Sequence, residues 1–101
     1  MGNLSHSDAL DSLFEAIMAL ETQEECYDFF EDLCTVPELK AISQRYKVAK
    51  LLLEGNVYSS IVAQTGASTA TISRVNRCLL YGTGGYDLAL ERSAEAESDS
   101  D

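Results

Sequence analysis

The stretch Tyr58-Ser59-Ser60-Ile61-Val62-Ala63-Gln64-Thr65-Gly66-Ala67-Ser68-Thr69-Ala70-Thr71-Ile72-Ser73-Arg74-Val75-Asn76-Arg77 decides the fold. Ile61 and Val62 sit on a short helical segment that ends at Thr65-Gly66, and Ala67-Ser68 leads into a second helix carrying Ile72, Val75 and Leu79. Glycine enters the left-handed backbone region without a Cβ penalty, so Gly66 suits the point where the first helix must stop. Ser68 is placed to cap the second helix by accepting from the free N–H of Ala70 or Thr71, which sets its start near Thr69. This spacing predicts a helix-turn-helix.

Helical residues follow one another at ~100°, so Ile72, Val75 and Leu79 share one face while Ala70, Ser73, Arg74, Arg77 and Tyr81 point away from it. The first face packs and the second reads. Small side chains let the start of a helix enter a groove closely, and arginines further along reach phosphates or a guanine edge. Ser68, Thr69, Ala70, Thr71, Ser73, Arg74 and Arg77 are thus the candidate DNA-binding residues. The competing reading of the same pattern is an αα-hairpin with a solvated polar face.

A formal net charge of −10 and a pI near 4.3 would repel a polyanion if evenly spread. The charge is polarised instead. Residues 40 to 77 hold Lys40, Arg45, Lys47, Lys50, Arg74 and Arg77 against Glu54 alone, five net positive charges, whereas residues 1 to 39 contain ten carboxylates and no lysine or arginine. One pole is built to face DNA and the other to stay away from it. Lys40, Lys47 and Lys50 are candidate phosphate contacts.

With 101 residues, 46% of them hydrophobic, and no tryptophan, the chain makes one small domain. No apolar run approaches membrane-spanning length and the N-terminus lacks the basic start of a signal peptide, so a cytoplasmic protein is expected. Three cysteines without a C-x-x-C pair fit a reducing compartment and offer no zinc pattern, and the lone His6 cannot anchor a metal or a catalytic dyad. No histidine or cysteine base accompanies the serines and threonines, and the Gly82 to Gly85 run lacks the lysine of a phosphate loop. An enzyme is not expected.

Apolar residues recur at three and four throughout, so the fold class is all-α, with five to six helices and no strand. Leu10, Leu13, Phe14, Ile17 and Leu20 stripe a first helix capped by Ser7, and Thr22 to Glu25 has capping-box spacing before Cys26, Phe29, Phe30, Leu33 and Cys34. Thr35 to Glu38 repeats that spacing and opens a long third helix to about Glu54, stopped by Gly55-Asn56. The expected organisation is a single domain over residues 1–92, with dimerisation helices in 8–56 and the helix-turn-helix in 57–81. Gly82, Gly84 and Gly85 end the recognition helix, Tyr86, Leu88 and Leu90 make a short closing turn or helix, and the acidic tail 93–101 is disordered. The first helix should bury one face, and the first two helices together with the third offer more apolar surface than so small a domain buries alone. A homodimer is the natural outlet, a compact monomer the alternative.

Leu33-Cys34-Thr35, Gln44-Arg45, Lys50-Leu51-Leu52, Gly66-Ala67-Ser68-Thr69, Thr71 to Leu79 and Tyr81-Gly82 resemble the tryptophan repressor-like superfamily, YerC/YecD type, over roughly residues 8 to 90. The resemblance implies an all-α, intertwined homodimer that regulates transcription, a repressor on two-fold operator DNA. It further implies a ligand site in which Arg45 and Arg74 hold a carboxylate, with Thr35 as a further contact. Where the repressor has glycine after the recognition-helix arginine, this chain has Val75, whose branched side chain crowds an indole, and Gly55 to Gly66 is one residue shorter. No cofactor is therefore expected. A regulator responsive to tryptophan or another small effector is one alternative, and a protein-interaction adaptor with a structural helix-turn-helix is the other.

Overall fold

The computed structural model describes residues 4–99, and among them there are six helices and no strand. They are α1 (Asp8–Ala19), α2 (Gln23–Leu33), α3 (Val36–Leu53), α4 (Tyr58–Thr65), α5 (Thr69–Tyr81) and α6 (Gly85–Asp99). The chain divides into two compact units, residues 4–40 and residues 41–99, with the boundary inside α3.

The first unit starts its helices with side-chain caps. Ser7 Oγ accepts from the Leu10 N–H at 3.2 Å, and Thr22 Oγ1 accepts from the Glu25 N–H at 3.1 Å. The Glu25 carboxylate takes the Glu21 N–H at 2.8 Å, one residue outside a regular capping box. At α3 the box is complete: Thr35 Oγ1 accepts from the Glu38 N–H at 3.3 Å and Glu38 Oε1 from the Thr35 N–H at 2.8 Å. Asp8, Asp11, Glu24 and Glu25 place negative charge at the positive ends of α1 and α2.

The stripes of α1 and α2 are only partly covered within one chain: neither helix holds a fully buried residue, and Leu10, Leu13, Ile17, Leu20, Cys26, Phe29 and Phe30 are half-buried. Two short amphipathic helices cannot enclose each other's apolar faces, and Phe14, Met18, Tyr27 and Leu33 stay exposed.

The second unit holds a buried cluster of Val48, Ala49 and Leu51 from α3, Ile61 from α4, Ala67 from the turn, and Ile72 and Val75 from α5. Leu52, Tyr58, Leu79, Tyr86 and Leu90 pack against it. Each fully buried Val or Ile side chain contributes about 1.5–3 kcal/mol of hydrophobic stabilisation. The stop of α3 is a Schellman motif: the Asn56 N–H donates to Leu51 O and the Gly55 N–H to Leu52 O, with Gly55 at φ +89°. Asn56 Nδ2 adds a second donor to the Leu51 carbonyl at 3.0 Å.

α6 departs from the sequence expectation. In place of a short closing turn and a disordered tail from Ser93, the helix runs to Asp99, while Ser100 and Asp101 lie outside the described residues. Tyr86 and Leu90, one turn apart, dock its first half on the buried cluster. Once that turn is nucleated, Glu91, Ala94, Glu95 and Ala96 extend it as strong helix formers.

Candidate nucleic-acid interface

The site is built from the turn outward. Gly66 stands at φ +72°, ψ 5°, and its N–H donates to Val62 O at 2.9 Å, the single bond of an αL stop. Thr65 Oγ1 donates to Ile61 O at 2.7 Å and accepts the Ala67 N–H at 3.1 Å. Ser68 Oγ accepts the Thr71 N–H and donates to Thr71 Oγ1, both at 3.1 Å. The cap and the left-handed glycine read from the sequence are both present.

Ile72 and Val75 are buried, and that fixes the rotation of α5. The opposite side presents Thr69, Ala70, Ser73, Arg74 and Arg77, all exposed, with Ser68 exposed at the start and Thr71 half-buried. Ala70, Arg74 and Arg77 follow one another at four and three residues, so they line one stripe. Among the described residues no ion pair engages Arg74 or Arg77. In the same unit Lys47 and Lys50 are exposed on α3, and the residues 41–81 carry five basic groups against Glu54. Lys40 is exposed and belongs to the other unit.

Arg45 is half-buried on α3 and Arg74 exposed on α5. The Thr35 hydroxyl is engaged in the α3 cap, where its backbone N–H, and then its hydroxyl, hold the Glu38 carboxyl below the ordinary glutamate range. Val75 is 1% exposed and sits in the cluster with Val48 and Ala49 of α3, so its side chain occupies core volume.

One residue was not singled out from the sequence as part of this site. Gln44 Nε2 on α3 donates to the Thr65 carbonyl at 3.1 Å, across 21 residues of sequence. A lone glutamine on a helix carries no pattern that marks such a tie.

Residues 8–94 match the family model described as Trp repressor protein. The chain belongs to the Trp repressor family. It is 55% identical over 91 residues to the uncharacterized protein YerC of Bacillus subtilis (strain 168), covering 90% of this chain and 88% of that protein. Among solved structures, a candidate Trp repressor from Staphylococcus aureus superposes with a TM-score of 0.85 at 52% identity, covering 88% of this chain and 89% of the other. A TrpR-like protein from Eubacterium eligens gives a TM-score of 0.85 at 53% identity, over 87% and 91% of the two chains. The Trp repressor family is one of regulators and not of enzymes. No helix among the described residues is long and apolar enough to cross a membrane.

Proposed function

We propose that this protein is a sequence-specific DNA-binding transcriptional regulator, a repressor that works in the cytoplasm as a homodimer on two-fold operator sites. The observation that carries the reading is the two-sidedness of α5: Ile72 and Val75 are fully buried while Thr69, Ala70, Ser73, Arg74 and Arg77 are exposed on the other side. Ala70 and the hydroxyls of Ser68, Thr69, Thr71 and Ser73 are small enough for close approach to base edges, and Arg74 and Arg77 reach guanine or phosphate. Lys47 and Lys50, in the same unit as α5, add phosphate contacts, with Lys40 as a further candidate.

The dimer is supported by the state of residues 4–40, none of which is buried. Met18 is 83% exposed and Tyr27 72%, a condition that covering by a second copy relieves. A two-fold operator asks for two recognition helices about 34 Å apart, one DNA turn.

The test is enrichment of genomic DNA fragments by purified protein at two salt concentrations, followed by titration of an enriched site. If Lys47, Lys50, Arg74 and Arg77 of both copies meet phosphate, log K falls with log salt at a slope of about −7. Arg77→Ala is expected to weaken binding by about 1–3 kcal/mol with the melting temperature unchanged. Absence of any enriched two-fold site, or equal binding by Arg74→Ala, Arg77→Ala and the parent, would overturn the reading.

A further inference from the structure

We propose that Gln44 is a positioning residue that clamps the turn before α5 from α3, so that the chain's own side chains present the reading helix and no small molecule is needed to do so. The proposal rests on the DNA-reading role of α5 and specifies how that helix is held for it. Thr65 spends its hydroxyl locally, donating to Ile61 O and accepting from the Ala67 N–H, and the Gly66 N–H is taken by Val62 O. The Thr65 carbonyl, at the end of α4 where no intrahelical donor follows, depends on an outside group, and Gln44 Nε2 supplies it at 3.1 Å in a half-buried setting.

The side-chain caps at the starts of α1, α2, α3 and α5 span three residues, whereas this bond spans 21 and ties two separate elements together. Burial of Ile72 and Val75 sets the rotation of α5 about its own axis, whereas a directional bond at the turn restrains its tilt. Arg77 lies eight residues beyond the α5 start, about 12 Å along the axis, so a rocking of about 10° at the turn moves it by about 2 Å. Hydrogen bonds to DNA tolerate only a few tenths of an ångström. The amide supplies the missing direction, while Ile72 and Val75, clustered with Val48 and Ala49 of α3, fill the core beside it.

The experiment compares the full chain with Gln44→Met, which keeps the length and loses the donor, and Gln44→Glu, which places a carboxylate against the carbonyl. Asn56→Ala serves as the control, because it removes the same kind of bond, amide to backbone carbonyl, at the end of α3. Each is titrated against an enriched DNA site with and without free tryptophan, and amide hydrogen exchange is followed at Gly66 and Ala67. Both Gln44 variants are expected to bind about 5- to 30-fold more weakly and to exchange faster at the turn. The control is expected to keep its affinity and turn protection at a similar loss of melting temperature. The parent is expected to bind equally with and without tryptophan.

Parent-like affinity and exchange in both Gln44 variants would overturn the clamp, and so would a parent that binds only when tryptophan is added. If the parent bound no DNA at all, the DNA reading would fall by itself. Exchange at Gly66 and Ala67 would then still decide the clamp, faster exchange supporting it and unchanged exchange refuting it.

Discussion

Replacing Gly66 with alanine isolates a backbone cost. The residue sits at φ +72°, ψ 5°, and a Cβ built there meets no atom within 4 Å. Steric clash is thus excluded, and what remains is the penalty of placing an L-residue in the left-handed region, about 1–2 kcal/mol. Alanine also restricts the unfolded chain and so recovers about 0.4–1 kcal/mol. The net loss is about 1 kcal/mol, or about 4–8 °C in melting temperature for a domain of this size. Asparagine, which tolerates this conformation, should lose less, and valine more. Circular dichroism melts of the three variants at one fixed chain concentration give the order parent, Asn, Ala, Val. An unaltered melt for Gly66→Ala, or asparagine melting with valine, would show that the turn does not depend on its left-handed residue.

The lowered Glu38 pKa sets the sign of an acid effect. The ionised carboxylate is held by the Thr35 N–H and hydroxyl, so this stabilisation is complete above the ordinary glutamate range and disappears as pH falls through the lowered pKa. Glu38→Gln should flatten part of the acid limb of a urea-midpoint against pH curve, and superimposable limbs would discard the box as its source. For the association proposal, Met18→Asp and Phe14→Asp should turn a dimer into a monomer in sedimentation at micromolar concentration. A parent that sediments as a monomer would remove the dimer altogether.

Features written in three or four consecutive positions were legible from the residues alone. Ser7, Thr22, Thr35 with Glu38, and Ser68 cap where their spacing indicated, and Gly66 turns where a helix had to stop, because each satisfies its neighbours without help from the rest of the chain. The buried side of α5 followed from its period. Two things were hidden. The reach of α6 depends on Tyr86 and Leu90 finding the core, which turns a low-complexity tail into a continuation of a docked helix. The Gln44 to Thr65 bond joins residues that share no local motif, so only the folded arrangement of α3 and α4 reveals it.

Among the described residues the four largest fully buried side chains, Ile61, Ile72, Val48 and Val75, are all β-branched. Such residues are mediocre helix formers, so α3, α4 and α5 hold their shape through mutual packing more than through intrinsic propensity. In a helix each is confined to essentially one χ1 rotamer, and little side-chain entropy is left to lose on folding. A core of this kind has few alternative jigsaw solutions. Volume-matched leucine or methionine at these four positions would keep most of the stability while admitting several packings, and the first property to blur would be the single orientation of α5 rather than the fold itself.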